Sequence, residues 1–248
     1  MPTVAVIIPA AGKSSRFGGR EKKPFVSLDG RPVWQRSAEL FWTRDDVSKV
    51  YLVIAPGDRE EFRRRFTHLI AFANAELVDG GVERFDSVAN ALVKVPETVG
   101  LVAVHDAVRP LAPPPLVDAV FAAAAQHGAA IPAVVVADTL KRVDPGSSRV
   151  VETIPRGGLW LAQTPQVFRR DWLEAAYARR GELGRAITDD AQLVEAAGHP
   201  VHVVAGAATN VKITTKDDLL LAEAILNARP KPKAARPIHP FADEEMWK

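Results

Sequence analysis

Short apolar runs alternate with amphipathic segments along most of the chain. The apolar runs are rich in β-branched residues and nearly continuous, which is typical of strands buried on both faces of a sheet. The predicted strands are VAVIIP (4–9), KVYLVIA (49–55), AELVD (75–79), LVAVHD (101–106), AAIPAVVVA (129–137) and VHVVAG (201–206). Between them, apolar positions of helical period predict helices over 33–43, 59–72, 86–95, 115–126, 172–179 and 189–197. This alternation predicts an α/β domain built on a mostly parallel, doubly wound sheet.

Two stretches depart from this pattern. Residues 139–156, TLKRVDPGSSRVVETIPR, alternate apolar and polar positions on either side of a DPGSS turn. This alternation predicts a β-hairpin that projects from the main sheet over about 138–157, here called the β-arm. The last twenty residues, 229–248, are proline-rich and follow a predicted helix that ends near Asn227, which predicts a flexible tail. We therefore expect a single domain over residues 1–228.

Composition agrees with one globular domain and excludes several kinds of protein. The chain has 248 residues, 47% of them hydrophobic, which is enough to bury a full core. Because it has no cysteine, it can form no disulfide, thiolate metal site or cysteine nucleophile. Its 32 basic and 30 acidic residues lack the basic excess of a nucleic-acid-binding surface. No apolar run approaches 18 residues and no secretory leader is recognisable, which predicts a cytoplasmic protein with no membrane partner.

The stretch PAAGKSSRFGGREKK, residues 9–23, follows the first predicted strand. Its small residues let a ligand approach the backbone, whose consecutive N–H groups can hold phosphate oxygens. Arg16, Lys22 and Lys23 add positive charge. The stretch contains neither GxxxxGK[ST] nor GxGxxG, which argues against P-loop and dinucleotide-binding proteins. It predicts a triphosphate-binding loop, with an ordinary solvent-exposed turn as the alternative.

The stretch VAVHDAVRPL, residues 102–111, places His105 and Asp106 at the carboxyl end of a buried strand, where open α/β sheets bind ligands. A carboxylate beside a bound triphosphate is suited to ligate Mg²⁺, so Asp106 is a candidate for the metal or for a ribose. Arg109 could contact a phosphate, or could equally form a structural pair with Asp106. His105 is expected to be a packed core residue.

Three further stretches lie near predicted strand ends, namely GGVERFDSV (80–88), LAQTPQVF (161–168) and NVKITTKDDL (210–219). In the first, two glycines and Ser87 offer amide and hydroxyl groups to a base or ribose, although Ser87 could instead be a helix N-cap. Lys212 lies in an apolar, threonine-rich segment predicted to be a strand, and an ammonium inside a sheet needs an anionic partner. A bound phosphate would supply that partner.

Taken in order, these stretches resemble the 2-C-methyl-D-erythritol 4-phosphate cytidylyltransferases of the non-mevalonate isoprenoid pathway. The resemblance runs from about residue 3 to residue 227 and rests on PAAG…R…KK, GG…R.DSV, HDAVRP, TLKRV…VVETIPR..LW.AQTPQ, ITDDA and NVKIT. It implies a Rossmann-like fold of nucleotidyltransferase type and transfer of CMP from CTP to a small phosphorylated polyol, 2-C-methyl-D-erythritol 4-phosphate. It also implies a magnesium ion held mainly through the CTP phosphates, and a homodimer formed through the β-arm.

The resemblance further implies roles for individual residues. The implied catalytic residues, which would contact the triphosphate and the transition state, are Arg16, Lys23 and Lys212. Those implied for nucleotide binding are Ala10, Ala11 and Gly12 at the phosphates and Gly80, Gly81, Asp86 and Ser87 at the cytidine. Those implied for acceptor binding are Asp106, which would also ligate the metal, Arg109 and Thr188, with Thr139 and Arg156 supplied by the β-arm of the neighbouring subunit.

Two features depart from the family's pattern. Ser14 replaces the usual second glycine, and in REKKPF (20–25) the proline follows the lysine pair instead of preceding it. Lys22 is therefore a rival to Lys23 as the catalytic lysine. HDAVRP is also similar to ribitol-phosphate cytidylyltransferases, whereas ETIPRGGLWLAQTPQ favours the methylerythritol enzymes. A ribitol 5-phosphate cytidylyltransferase and a non-catalytic nucleotide-binding homologue remain as alternatives.

Overall fold

A computed structural model of the chain describes residues 3–12, 25–183 and 187–229. Its strands are β1 (Val4–Pro9), β2 (Ser27–Leu28), β3 (Arg31–Pro32), β4 (Val47–Ile54), β5 (Ala75–Asp79), β6 (Leu101–Val104), β7 (Ala129–Val135), β8 (Leu140–Val143), β9 (Val150–Ile154), β10 (Trp160–Ala162), β11 (Gln166–Arg169) and β12 (His202–Ala205). Its helices are α1 (Val33–Glu39), α2 (Arg59–Phe72), α3 (Arg84–Leu92), α4 (Pro114–His127), α5 (Arg170–Ala178), α6 (Asp190–Ala196) and α7 (Lys216–Ala228). Short 3-10 turns lie at Pro56–Asp58 and Arg180–Leu183.

The six strands and six helices predicted from the alternation of apolar runs and amphipathic segments are all present, and α2 has the predicted bounds. The sequence pattern does not predict β10 or β11. These strands have three and four residues, which leaves too few positions for a periodicity to be recognised. Both of them lie next to β7 in the sheet, so the omission concerns the part of the fold that borders the candidate site.

Eight of the described strands form the central sheet. β5, β4, β1 and β6 are neighbours in that order and run parallel. β11 comes next and is antiparallel to both β6 and β7, while β7 pairs in parallel with β12. The sheet is therefore mixed but mostly parallel, which confirms the predicted fold class.

Helices cover both faces of this sheet. Val4, Val6 and Ile8 of β1 belong to the core layer formed with α1, α2 and α4, whereas Ala5 and Ile7 belong to the layer formed with α3, α5 and α6. Burial on both faces explains the nearly continuous apolarity of the central strands. Helices α2 and α4, at 14 residues each, are the longest described, and no helix in the described ranges is long and apolar enough to span a membrane.

An interruption at residues 163–165 separates β10 from β11, which otherwise pair with β7 in the same antiparallel direction. Ala162 lies opposite Ala133 and Val167 lies opposite Ala130. Between these two pairs the segment from β10 to β11 advances by five residues, whereas β7 advances by only three. Two extra residues therefore leave the ladder as a bulge. This bulge lies beside the loop that follows β6, because Thr164 hydrogen-bonds to Asp106.

The β-arm is a separate two-stranded antiparallel sheet made of β8 and β9, which confirms the predicted hairpin. Asp144 Oδ1 accepts the amide hydrogens of Gly146 at 2.9 Å and Ser147 at 2.8 Å, and these bonds close the turn. Val143 and Val150 are exposed. A two-stranded hairpin with so little burial is marginally stable by itself, so the arm is expected to require a partner surface.

Candidate active site

A buried carboxylate surrounded by three cationic side chains lies at the carboxyl end of β6. Asp106 Oδ2 lies 2.7 Å from Lys212 Nζ and 3.5 Å from Arg109 Nε. The other oxygen, Oδ1, lies 3.4 Å from Arg84 Nε. Burial alone would raise the pKa of Asp106, but the charges of Arg84, Lys212 and Arg109 hold that pKa well below its usual range. Asp106 is therefore ionised, and its carboxylate organises the cations around it.

The cluster has an excess of positive charge. Arg84 also pairs with Asp190, with 2.9 Å between Nη2 and Oδ2, so three cations face two carboxylates and the net charge is +1. Both carboxylates are buried, whereas the Lys212 side chain is 44% exposed. The uncompensated charge is thus accessible to solvent. Such a site attracts phosphate groups, which accept charge-assisted hydrogen bonds from lysine and arginine.

Lys212 does not lie in a strand, and the prediction that it does is wrong. Residues 211–214 form an irregular connection between β12 and α7. The apolar residues at 211 and 213 pack against α7, which imitates the alternation of a strand. Ile213 N donates to the Val108 carbonyl at 2.9 Å and holds the connection beside the loop after β6. The anionic partner of the ammonium is Asp106, a side chain of the same chain and not a ligand.

Arg109 ties two loops together. Its Nη1 donates to the Asn210 carbonyl at 2.7 Å, while its Nε contacts Asp106. The guanidinium is largely buried, and burial lowers the pKa of Arg109. The structural pair between Arg109 and Asp106 that the sequence allowed is therefore present.

Two stretches predicted to bind the nucleotide meet at the ends of β1 and β5. Gly80 N donates at 2.8 Å to the carbonyl of Ile54, the last residue of β4, which extends the pairing of β4 with β5. A Cβ atom on Gly80 would lie 2.5 Å from the Cβ of Ala11, so only glycine allows this approach. Ala10 is buried and Gly12 is exposed. The two stretches thus form one continuous surface at the carboxyl edge of the sheet.

The turn at Gly81 is held by the first turn of α3. Ser87 Oγ accepts the Gly81 amide hydrogen at 3.1 Å and donates to the Glu83 carbonyl at 3.2 Å. Asp86 Oδ2 accepts the Glu83 amide hydrogen at 3.2 Å, and the two residues form a capping box. Glu83, and not Ser87, therefore caps the helix, and α3 begins at Arg84, two residues before the predicted start. Ser87 is buried and shapes the turn.

Substitution of Gly80 tests its close approach to Ala11. Gly80→Ala is expected to lower the free energy of unfolding by about 1–3 kcal/mol, the usual cost of overpacking, because the new Cβ would overlap Ala11. Gly57→Ala is the matched control, since a Cβ at Gly57 meets nothing within 4 Å. Urea denaturation of both variants measures the difference. Equal stability of Gly80→Ala and the parent chain would contradict the described contact.

Arg84 and Asp190 are site residues that sequence reasoning missed. They are the first residues of α3 and α6, and their ion pair joins the two helix starts. Asp190 Oδ1 accepts the Tyr177 hydroxyl at 2.5 Å. Burial and the charge of Asp190 raise the pKa of Tyr177 well above its ordinary value, so the phenol stays a donor. The sequence signal was the arginine of GGVERFDSV, but an arginine at a helix start gives no indication of a buried partner.

His105 is fully buried, as predicted, and it is hydrogen-bonded through both ring nitrogens. Nε2 lies 2.9 Å from the Arg109 carbonyl oxygen, and Nδ1 lies 3.1 Å from Thr164 Oγ1. Burial lowers the pKa of His105 to about 4. Thr164 Oγ1 also accepts the Asp106 amide hydrogen at 3.1 Å. The sequence did not assign a role to Thr164.

The segment around Thr164 joins the loops of the site. The Thr164 carbonyl accepts Asn210 Nδ2–H at 2.9 Å, which anchors the connection that carries Lys212. Gln166 Oε1 accepts the Asp190 amide hydrogen at 3.1 Å, which anchors the start of α6. Together with the bond to Asp106, these contacts tie three loops to the strand segment that the sequence pattern did not predict.

The residues predicted for the acceptor outside this cluster are exposed. Thr188 lies just before α6, and its hydroxyl donates to Gln192 Oε1 at 3.0 Å. Thr139 and Arg156 lie at the two ends of the β-arm. Within the part of the chain that the structure describes, neither side chain has a hydrogen bond or ion pair. Their predicted roles require a second subunit and stay predictions.

The predicted catalytic residues Arg16 and Lys23, and the rival Lys22, lie outside the described residues. The residues that flank this segment are described. Gly12 is exposed after β1, and Phe25 packs against Phe62 of α2, with 5.7 Å between ring centroids. The roles of the three cations therefore stay predictions.

The described side chains offer few ligands for the predicted magnesium ion. Within residues 3–12, 25–183 and 187–229, no three histidine, aspartate or glutamate side chains are grouped so that they could hold a metal ion. Asp106 is a single carboxylate whose oxygens already contact cations. Magnesium commonly binds one carboxylate together with substrate phosphates and water. The residues thus fit an ion that arrives with a nucleotide, and do not form a complete metal site.

Known proteins resemble the chain over most of its length. A profile of the family described as "IspD: 2-C-methyl-D-erythritol 4-phosphate cytidylyltransferase" matches residues 4–228. A protein of that name from Rhodopirellula baltica is 44% identical over 236 residues, which cover 91% of this chain and 95% of the relative. Another, from Frankia casuarinae, is 46% identical over 226 residues, covering 91% and 82%.

Solved structures agree with these relatives. The crystal structure of 2-C-methyl-D-erythritol 4-phosphate cytidylyltransferase from Thermus thermophilus is similar with a TM-score of 0.75 and 35% identity, covering 91% of this chain and 99% of that one. A 4-diphosphocytidyl-2C-methyl-D-erythritol synthase from Anaerococcus prevotii gives a TM-score of 0.76 and 29% identity, covering 91% and 96%. From its fold, its motifs and these relatives, the chain belongs to the 2-C-methyl-D-erythritol 4-phosphate cytidylyltransferase family of nucleotidyltransferases.

Proposed function

We propose that this enzyme transfers CMP from CTP to 2-C-methyl-D-erythritol 4-phosphate, giving 4-diphosphocytidyl-2-C-methyl-D-erythritol and pyrophosphate. The observation that carries the proposal is the buried Asp106 carboxylate with Arg84, Arg109 and Lys212 around it. The excess positive charge of this cluster suits a reaction in which two phosphate-bearing substrates must approach each other. Membership of the family supports the same reaction.

In the proposed reaction, a phosphate oxygen of the acceptor forms a bond to the α-phosphorus of CTP. The bond from the α-phosphorus to the oxygen that bridges to the β-phosphorus breaks, and that oxygen leaves with pyrophosphate. The nucleophile is already an anion near neutral pH, so the step requires alignment and charge neutralisation more than proton transfer. No protein nucleophile is therefore required.

Lys212 is proposed to neutralise charge at the junction of the two substrates. Its ammonium is accessible to solvent and is oriented by Asp106 at 2.7 Å, so it can contact a phosphate without leaving its carboxylate partner. Arg109 is held by Asp106 and Asn210 and acts chiefly by keeping the loop in place. Arg16 and Lys23, or Lys22 in place of Lys23, are proposed to contact the triphosphate.

The nucleotide is proposed to lie across the ends of β1 and β5. The small residues Ala11, Gly12 and Gly80 leave the backbone accessible there, and consecutive amides suit phosphate oxygens. The turn held by Ser87 offers backbone groups to a small pyrimidine edge. A magnesium ion bound mainly through the CTP phosphates, with Asp106 nearby, would add charge neutralisation at the α-phosphoryl group.

The β-arm is proposed to dock on a second copy of the chain and to complete that copy's acceptor site. Its strands are almost wholly exposed, and exposed apolar side chains continue from the arm to β10, including Val151, Leu159 and Trp160. Several exposed apolar side chains in one part of the chain are consistent with an interface. Thr139 and Arg156, at the ends of the arm, would then contact the acceptor phosphate in the partner's site.

A direct assay decides between this function and its alternatives. Pyrophosphate release is measured with CTP and either 2-C-methyl-D-erythritol 4-phosphate or ribitol 5-phosphate as the acceptor. We expect turnover with the methylerythritol substrate. Preference for ribitol 5-phosphate would assign the sister activity, and no turnover with either acceptor, despite CTP binding, would indicate a non-catalytic homologue.

CTP is expected to be strongly preferred over UTP and ATP. The turn at residues 80–87 is held closely by Ser87 and Asp86, which favours a pyrimidine over a purine, and unpaired polar groups would penalise the wrong pyrimidine edge. The measurement is kcat/KM for each nucleotide at saturating acceptor. Comparable values for ATP and CTP would contradict the proposed base site.

A further inference from the structure

A chain of hydrogen bonds connects the two ends of the loop that carries Asp106. The Asp106 amide donates to Thr164 Oγ1 at 3.1 Å, Thr164 Oγ1 lies 3.1 Å from His105 Nδ1, and His105 Nε2 lies 2.9 Å from the Arg109 carbonyl oxygen. His105 and Thr164 are both buried, with 0% and 5% exposure. Their polar atoms therefore have no access to bulk water and must find partners within the protein.

The partners of His105 determine where the ring carries its hydrogen. A carbonyl oxygen can only accept, so Nε2 must donate to Arg109. Neither hydrogen-bond partner of the ring among the described residues is a carboxylate, and a charged imidazole without one would be costly at full burial. Nδ1 is then an acceptor, and the Thr164 hydroxyl donates to it. The hydroxyl oxygen in turn accepts from the Asp106 amide, so each of the three hydrogen bonds has one defined donor and one defined acceptor.

These bonds act on the loop from both sides. The Asp106 peptide is held at one end and the Arg109 peptide at the other, and these two residues contact Lys212 and Asn210, respectively. The Ala107 carbonyl, between them, accepts the Ser37 hydroxyl at 2.9 Å. The loop backbone is thus fixed by side chains from three different segments.

We propose that His105 is a positioning residue for the transfer reaction, acting as an Nε2–H tautomer that fixes the Asp106 peptide through the Thr164 hydroxyl and the Arg109 peptide directly. The proposal rests on the proposed function, because Asp106 and Lys212 matter for catalysis only if the chain transfers CMP. The bridge does not touch the reacting atoms. It determines where the Asp106 carboxylate, and with it the Lys212 ammonium, is held.

The two bridging groups can be removed one at a time with little change in shape. Thr164→Val deletes the hydroxyl and keeps the volume, and Thr164→Ser is its matched control because it keeps the hydroxyl. His105→Phe deletes both nitrogens and keeps an aromatic ring against Phe41, which lies 5.0 Å away between ring centroids. We expect Thr164→Val and His105→Phe each to lower kcat about tenfold to a hundredfold, since small displacements at an active site cost about this much.

The kinetic pattern distinguishes positioning from general loss of structure. KM for CTP should stay within about threefold of the parent value in each variant, because the nucleotide stretches are on other loops, and Thr164→Ser should retain nearly full kcat. The double variant should be no slower than the slower single variant, since both changes break the same bridge. Losses that multiply in the double variant would overturn the proposal, as would a Thr164→Ser chain as slow as Thr164→Val.

Nitrogen NMR of the parent chain tests the bridge without any assay of activity. His105→Phe, or Thr164→Val if His105→Phe does not fold, identifies the His105 signals in protein labelled with ¹⁵N at histidine. At neutral pH we expect a neutral ring protonated at Nε2. An imidazolium or an Nδ1–H tautomer would overturn the proposal. If the parent chain turns over neither acceptor, the proposed function fails, and the NMR result still decides whether the bridge exists.

Discussion

Lys212→Ala is expected to lower kcat by about a hundredfold to a thousandfold, the usual cost of losing one charged donor to a transition state. The ammonium belongs to the most exposed of the three cationic side chains of the cluster and lies 2.7 Å from Asp106. Its loss would leave the charge that develops on the α-phosphoryl group and pyrophosphate without this donor. KM for the acceptor should change less than kcat if the contact strengthens in the transition state.

The fold should survive this change. Asp106 keeps Arg84 and Arg109 as partners, so the carboxylate is not left as an unpaired buried charge. Lys216→Ala is the matched control, because Lys216 is exposed at the start of α7, four residues along the same segment. Steady-state kinetics and thermal melting of both variants make the comparison. A Lys212→Ala chain with nearly parent kcat would remove Lys212 from the catalytic set.

Mixing two inactive variants is expected to restore about a quarter of the parent activity. If the β-arm completes the site of a neighbouring subunit, each site combines Lys212 from one chain with Arg156 from the other. In a random mixture of Lys212→Ala and Arg156→Ala chains, about half of the dimers are heterodimers by simple counting. Each heterodimer has one site with both residues intact and one with neither. One intact site in half of the dimers gives about a quarter of the parent activity, provided that the two sites act independently.

This experiment requires proof that subunits exchange. Differently tagged chains that co-purify after mixing provide it, and each variant incubated alone is the control for residual activity. Arg149→Ala, in the turn region of the arm, is a second control that should be active by itself, because Arg149 is not among the predicted contacts. Confirmed exchange without recovered activity would mean that Arg156 acts within its own chain or not at all.

Much of the fold could be predicted because local pattern and global architecture agree. The central strands are buried on both faces, so their apolarity is nearly continuous and easily recognised. The β-arm was predictable from its own alternation and turn residues, because a hairpin is a local structure. β10 and β11 were not predictable, since each is very short and is a strand only because of its neighbours, β7 for β10 and both β6 and β7 for β11.

The candidate site was likewise predictable only in part. Asp106 was predictable because it follows a buried strand at the edge where open α/β sheets bind ligands. Lys212 was recognised as an ammonium in need of an anionic partner. The strand predicted around it is absent, because apolar residues that pack against α7 imitate strand alternation. Arg84 was not recognised, since its partners Asp106 and Asp190 are 22 and 106 residues away in the sequence.

The sequence by itself determined the fold class, the β-arm and the family, because each depends on a local pattern or on motifs in a fixed order, and from the same motifs it predicted Asp106, Arg109 and Lys212 as site residues. Only the tertiary structure decided which charges meet. The ion pairs of Arg84 and the hydrogen bonds that join His105, Thr164 and Asp106 all arise where separate loops converge at one edge of the sheet. The physical reason is that a side chain's partner, and with it its charge and hydrogen-bond direction, depends on distance in space and not on distance along the chain.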